Sequence, residues 1–177
     1  MRALVLLGAA LVAAGCGAGS DKVRPAHAAK APFARCSHPS RGFRACTVFS
    51  APGERSALYW RSGSEWVVVR GRLPGTPGWW RRVFAAPDGQ TLLAQWSGEC
   101  EQQSTYLVSA TDGSLRPVFA GHASEAIGWT IAGSARVRLA EQIWRGKTLI
   151  RRPGVYVVDP RTMAARLAHS SAGKPGC

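Results

Sequence analysis

The sequence of 177 residues contains no apolar run of 18 or more residues, the length that a transmembrane helix requires. Acidic residues are scarce, since ten Asp and Glu oppose 23 Lys and Arg, and the formal net charge is +13. Because 46% of the residues are nevertheless apolar and glycine shows no period, a disordered or collagen-like chain is excluded. The length fits one domain with a hydrophobic core.

The sequence also lacks the short motifs that mark common active sites. G-x-S-x-G, H-E-x-x-H and G-x-G-x-x-G do not occur, so no nucleophile turn, zinc helix or phosphate loop is recognisable. There are only four histidines, and His122 with Glu125 is the candidate acid/base pair, a combination that polar loops produce by chance. We therefore assign no catalytic residue, cofactor or metal ligand. No DNA- or RNA-binding motif occurs either, so we expect no nucleic-acid partner.

The N-terminus has the organisation of an export leader. One arginine, a short apolar stretch over residues 3–12 and small residues before a boundary predict a secretory signal peptide over residues 1–15. The segment Ala13-Ala14-Gly15-Cys16 resembles the lipobox of bacterial lipoproteins. That resemblance implies cleavage before Cys16 and attachment of diacylglycerol, with acyl chains such as palmitate, to its thiol. The alternative is an ordinary signal peptide in which Cys16 is incidental.

The leader defines the predicted domain organisation and location. Residues 16–35, rich in Ala, Gly, Pro and cations, are predicted to be a lipidated flexible tether. Residues 36–177 form a single predicted β domain. We expect the protein to be exported and held by lipid on the outer face of the bacterial cell membrane, or on its periplasmic face.

Four cysteines remain after Cys16: Cys36, Cys46, Cys100 and Cys177. An even number in an exported chain favours two disulfides over metal binding or catalysis. Turn residues between Cys36 and Cys46 favour a bond between these two, which leaves Cys100 to pair with Cys177. Three connectivities are possible, and free or metal-binding thiols are the alternative.

Short strand-like runs separated by turns fill the rest of the chain. The predicted strands are residues 47–49, 57–60, 66–69, 91–94, 105–108, 135–139 and 155–158. Turn sequences such as Pro87-Asp88-Gly89 and Asp112-Gly113 separate them, since Gly supplies positive φ and Asp bonds its own backbone. No segment sustains a helical period for three turns, so the predicted fold is all-β.

A repeat relates three parts of the chain. VFSAPG (48–53) is echoed by VFAAPDG (83–89) and more faintly by IGWTIAG (127–133). The second unit, with Pro87-Asp88-Gly89 and then Asp112-Gly113, resembles the WD40-like β-propeller repeat of TolB-type proteins, in which these turns join the strands of a blade. The resemblance implies about three antiparallel, propeller-blade-like units and a protein-interaction platform. Because closed propellers have four to eight blades, we expect an open or partial arrangement, with a β-sandwich as the alternative.

Aromatic and basic residues indicate a candidate binding patch. Of seven tryptophans, those that recur in the three units (Trp60, Trp96 and Trp129) are expected to fill the core. The segment Trp79, Trp80, Arg81 and Arg82 follows a predicted loop and is the candidate interaction patch, in which at most one tryptophan faces inward. Basic pairs such as Arg136 and Arg138 share a strand face. They either attract an anionic envelope component or are simply solvated.

These observations lead to one principal hypothesis. The chain is predicted to be a membrane-anchored envelope lipoprotein that acts as a protein- or ligand-binding module, with an envelope protein or an anionic envelope component as its partner. The alternative is an envelope hydrolase acting on glycan or peptide, because carboxylates can meet in space without being close in sequence.

The leader hypothesis predicts the chemical state of the mature N-terminus. Mass spectrometry of protein from a bacterial host with intact lipoprotein processing is expected to show Cys16 as the first residue, with a diacylglyceryl modification. The variant Cys16→Ser is expected to lose the modification and the membrane fraction together. An unmodified mature N-terminus at any other residue would rule out the anchor.

Overall fold

The computed structural model describes residues 24–25, 33–36, 43–50, 55–62, 65–70, 73, 78–98 and 103–171. Within these residues every regular element is a strand and all strand pairs are antiparallel. No helix occurs there, and so none that is long and apolar enough to cross a membrane. The all-β prediction is confirmed.

Three sheets follow one another along the chain. Sheet 1 contains β1 (Arg24–Pro25), β2 (Phe33–Cys36), β3 (Phe43–Ser50), β4 (Arg55–Ser62) and β5 (Glu65–Arg70), in the order β1-β5-β4-β3-β2. Sheet 2 contains β6 (Trp79–Ala85), β7 (Thr91–Ser97), β8 (Gln103–Ser109) and β9 (Leu115–Pro117), in sequence order. Each predicted strand in these two sheets lies within an observed one.

Sheet 3 is a four-stranded sheet that carries an inserted hairpin. Its strands are β10 (Ser124–Trp129), β11 (Ala135–Leu139), β14 (Gly154–Val158) and β15 (Ala165–Ser170), in that order. The hairpin of β12 (Ile143–Arg145) and β13 (Thr148–Arg151) interrupts the chain between β11 and β14. Sequence reasoning did not predict β12 and β13, which are three and four residues long.

The repeat found in the sequence corresponds to a repeated structural position. Its three copies lie where β3 leads into β4, β6 into β7 and β10 into β11, so each sheet contains one copy between two neighbouring strands. Positive φ occurs at Gly89 in the second turn and at Gly133 in the third. The sheets are therefore successive blade-like units, and the described residues form no closed ring or barrel.

Two hydrophobic clusters hold the three sheets together. The first, between sheets 1 and 2, includes Leu58, Trp80, Leu92, Trp96 and Val108. The second, between sheets 2 and 3, includes Leu93, Leu107, Val137, Tyr156 and Val158. Sheet 2 is thus covered on both faces, and this explains why six consecutive residues of β7 are buried instead of alternating.

The tryptophans predicted to fill the core do pack against these clusters. Trp96 is buried, and its ring meets that of Trp80 edge to face with 5.1 Å between ring centroids. Trp60 packs against the first cluster and Trp129 against the second. The Trp129 indole N–H donates to the carbonyl of Phe84 at 3.1 Å, which links sheet 3 to sheet 2.

Part of the predicted tether contributes strands to sheet 1. Backbone pairing joins Arg24 and Pro25 to β5, and Phe33 and Arg35 to β3. Strand pairing in this region therefore begins before residue 36, where the β domain was predicted to start. The predicted signal peptide and Cys16 lie outside the described residues.

A disulfide joins the two strands at one edge of sheet 1. Cys36 of β2 is the direct register partner of Cys46 of β3, and the two form a disulfide across ten positions of sequence. The predicted Cys36–Cys46 bond is therefore present. Cys100 and Cys177 lie outside the described residues, so their pairing stays a prediction.

The Pro87-Asp88-Gly89 turn of sheet 2 is also a contact point for sheet 1. Gly89 is buried with φ of +68°, and a β-carbon at this position would overlap the ring of Phe43 from β3. Glycine is required here for two separate reasons, its left-handed backbone and the ring that packs against its α-carbon. The Asp88 carboxylate accepts the backbone N–H of Gln90 at 2.9 Å and holds the turn in shape.

We expect Gly89→Ala to lower the free energy of unfolding by about 2–4 kcal/mol, because a left-handed alanine and an overpacked ring each carry a cost. Gly133→Ala is the matched control, since its φ is +83° but no atom lies within 4 Å of the added carbon. The free energy of unfolding of this control should fall by only about 1–2 kcal/mol. Urea denaturation measures both, and equal losses would show that Phe43 does not matter.

Candidate interaction surface

The structure divides the predicted patch at residues 79–82 between the core and the surface. Trp80 is only 1% exposed, and its backbone N–H donates to Ser56 Oγ at 2.6 Å. Trp79, Arg81 and Arg82 are partly exposed. An aromatic platform that uses both tryptophans is thus ruled out, because alternation along β6 turns Trp80 into the cluster between sheets 1 and 2.

Arg82 takes part in an ion cluster at the junction of sheets 2 and 3. Its Nη1 lies 2.5 Å from Oε1 of Glu125, and Nη1 of Arg138 lies 2.6 Å from the other oxygen, Oε2. Glu125 and Arg138 are direct register partners on β10 and β11. Because β10 is an edge strand, Arg82 of sheet 2 meets the pair at that edge. The single carboxylate therefore holds two guanidinium groups from different sheets.

The candidate acid/base pair of His122 and Glu125 is not formed. His122 Nδ1 instead lies 3.4 Å from Oε1 of Glu141, and the same oxygen accepts the backbone N–H of Ala123 at 2.7 Å. In the described part of the chain, no three His, Cys, Asp or Glu side chains come together in a way that would hold a metal ion.

Arg116 makes a second polar link between sheets 2 and 3, at their outer strands. From β9 its Nη2 donates to the carbonyl of Pro160 at 2.5 Å, and its Nη1 donates to the carbonyl of Arg161 at 3.3 Å. Both acceptors belong to the turn between β14 and β15. Sequence reasoning missed this contact, because nothing local to Arg116 indicates a partner 44 residues away.

The acceptor turn is shaped by a carboxylate. Asp159 Oδ1 accepts the backbone N–H of Arg161 at 2.7 Å and of Thr162 at 3.2 Å, and these hydrogen bonds lower the pKa of Asp159. The β8–β9 turn is built in the same way. There the backbone N–H of Ser114 and the side chain of Ser109 lower the pKa of Asp112 to about 2. Ionised aspartates are therefore part of both turns.

The face of sheet 3 that points away from sheet 2 is strongly basic. Alternation along β11 sends Val137 inward and Arg136 and Arg138 outward. Register places Val157 and Arg166 beside Arg136, and Val155 beside Arg138. We call the residues Arg136, Arg138, Val155, Val157 and Arg166 the basic face. The three arginines are exposed, and no described strand covers this face.

The residues of the basic face on β11 were recognisable in the sequence, but those on β14 and β15 were not. The alternating Arg136-Val137-Arg138-Leu139 stretch already indicated that two arginines share a face. The contribution of β14 and β15 was not foreseen, because it depends on the register across three strands. Buried and half-buried residues alternate along β14 (Gly154–Val158). If one side of this strand is assumed to be buried, the sequence alone predicts that alternation.

Comparison with known proteins supports the fold. The chain resembles the crystal structure of TolB from Acinetobacter baumannii with a TM-score of 0.50 and 18% sequence identity. The likeness covers 78% of this chain but 33% of that chain, so the protein spans about a third of the length of that TolB. No family model and no curated protein matches the sequence. The fold is thus that of a partial β-propeller with TolB-like blades.

The two aspartate turns predict how stability depends on pH. A carboxyl group whose pKa is lowered by folding stabilises the folded state above its ordinary pKa of 3.8, and this contribution disappears as the pH falls toward 2. The melting temperature should therefore decline between pH 4 and pH 2, and less steeply in Asp112→Asn. The control Asp21→Asn removes the same charge from the segment predicted to be a flexible tether and should retain the wild-type slope. Equal slopes in all three proteins would contradict a role for the turn.

Proposed function

We propose that the protein is an exported lipoprotein, anchored to the bacterial membrane through diacylated Cys16, that binds an acidic surface of another envelope protein with its basic face. The observation that carries the proposal is the basic face itself. In a closed propeller this surface of a blade would be covered by the next blade. Here it combines three exposed arginines with two half-buried valines, and no described element packs on it.

Two observations support a location outside the cytoplasm. The segment before Cys16 has the order of a lipoprotein leader, with a charge, an apolar stretch and small residues. The disulfide between Cys36 and Cys46 fits an oxidising compartment, since cytosolic proteins seldom keep structural disulfides.

The chemistry of the basic face favours an acidic protein partner. Arg138 shares Glu125 with Arg82, whereas Arg136 and Arg166 make no ion pair with any described carboxylate. Guanidinium groups bind carboxylates through two parallel hydrogen bonds, and arginine is enriched at protein interfaces. The valines between the arginines add apolar contact area, which a flat anionic polymer would leave unused. The resemblance of the repeat to TolB-type proteins is consistent with an interaction platform.

A photo-crosslinking experiment tests the proposal in the cell. With a photoreactive residue at Val157, irradiation of the membrane-anchored protein is expected to give a discrete protein adduct. The double variant Arg136→Glu/Arg166→Glu should reduce that adduct at least about tenfold, because an acidic partner then meets like charge. The control Arg145→Glu/Lys147→Glu makes the same change in net charge on the exposed β12–β13 hairpin and should leave the adduct unchanged.

Three results would contradict the proposal. Adducts that form only with lipid or cell-wall polymer would show that the basic face binds a polyanion instead of a protein. Equal losses with the two double variants would show that overall charge matters and the face does not. A photoreactive residue at Ser114, on the exposed β8–β9 turn, that gives the same adduct as Val157 would show that contact is not confined to the basic face.

A further inference from the structure

A groove opens on the other side of sheet 3, at its outer end. It is open to solvent and has a volume of about 400 Å³ between the strand β13 and the strands β14 and β15. That volume lies within the range of small-molecule sites. Leu149, Ile150 and Leu167 supply an apolar wall, and both Ile150 and Leu167 are exposed, at 45% and 37%. Large aliphatic side chains that border an open groove are a surface an apolar ligand would cover.

Arg151 supplies a fixed positive charge beside this wall. Its guanidinium carbon lies 5.5 Å from the ring centroid of Phe119 and 5.5 Å from that of Tyr156. Its Nη1 donates to the carbonyl of Ala165 at 3.2 Å. These contacts restrict the guanidinium, so less side-chain freedom is lost when a ligand binds.

A pair of hydrogen bonds also fixes the end of the strand that carries Arg151. The hydroxyl of Tyr156 donates to the carbonyl of Arg152 at 2.8 Å and accepts the backbone N–H of the same residue at 3.1 Å. This double hydrogen bond ties the end of β13 to β14. The β12–β13 hairpin is therefore already held beside β14, and the groove exists without a ligand.

No acidic side chain in the described residues balances the charge in the groove. Among the residues that line it, Arg151 and Arg152 are cationic and none is acidic. No carboxylate in the described part of the chain forms an ion pair with Arg151. A guanidinium has five N–H donors, and the Ala165 carbonyl accepts from one nitrogen of Arg151. Donors thus remain for an anion with two oxygens.

We propose that this groove binds small organic monocarboxylates with an apolar body, with the carboxylate on Arg151 and the hydrocarbon against Leu149, Ile150 and Leu167. The combination accounts for both halves of the site, since a hydrocarbon alone leaves the guanidinium unpaired and a small anion alone leaves the aliphatic wall exposed. This site is separate from the basic face, which lies on the opposite side of sheet 3.

Octanoate is a suitable probe of the groove. The full chain carries Cys16→Ser, so that no acyl group of its own anchor competes. Titration followed by methyl NMR is expected to shift the methyl signals of Leu149, Ile150 and Leu167 saturably, with millimolar affinity. Those of Val137, in the core between sheets 2 and 3, should not move. Octanol and octylammonium have the same hydrocarbon without the carboxylate and should bind at least about tenfold more weakly.

Variants of Arg151 separate charge recognition from packing. Arg151→Met keeps an unbranched stem on the two rings and should weaken octanoate binding at least about tenfold, to the level of octanol. Arg151→Lys retains the charge without the planar fork and should restore part of the affinity. The control Arg145→Met removes an exposed arginine of the same hairpin outside the groove, and Arg136→Glu alters the basic face. Both should bind octanoate as the parent does.

The proposal is overturned if octanoate causes no saturable shifts in these methyl groups, or if octanol binds as tightly as octanoate. It is also overturned if Arg151→Met and Arg145→Met have the same affinity. Octanoate binding and the photo-crosslinked adduct at Val157 are independent measurements, so failure of the groove and failure of the proposed protein interface are distinguishable.

Discussion

The structure depends on the burial of sheet 2 on both faces. Leu92 and Leu93 are neighbours on β7 and point to opposite sides, and their register partners Val108 and Leu107 on β8 do the same. Burial of each leucine stabilises the folded state by about 1.5–3 kcal/mol, and only when the side of the sheet to which it points is covered. Sheets 1 and 3 are therefore not independent modules, since removing either would expose one entire face of the middle sheet. The polar links at Glu125 and Arg116 orient sheets that the hydrophobic clusters already hold together.

Local chemistry was enough to predict much of this fold. Runs such as residues 91–94 and 135–139 have strand character, and the recurrent sequence before β4, β7 and β11 revealed the three units. Partners across sheets were not predictable. Alternation shows that at most one of Trp79 and Trp80 faces inward, but only packing against Trp96 determines which. Glu125 likewise pairs with Arg82 and Arg138 because of strand register and sheet stacking, neither of which leaves a trace in local sequence.

The two sides of sheet 3 present different chemistry for a structural reason. One side packs on sheet 2, so its periphery is apolar, and the inserted hairpin extends that apolar rim to form the groove near Arg151. No sheet of the described residues covers the other side, and arginines stand where a closed ring would need apolar side chains. The same alternation along β11 and β14 thus gives the two sides of one sheet an apolar rim and a basic face.

The bond between Cys36 and Cys46 has a mechanical consequence for a molecule pulled by its N-terminal end. Tension that enters at residue 36 passes through the two sulfur atoms directly to β3, the strand that borders both β2 and β4 in sheet 1. The covalent link bypasses the stretch of sequence between the two cysteines. Beyond the covalent link, the load enters the β3–β4 ladder at Cys46, within the strand and opposite Tyr59, and not at a strand end.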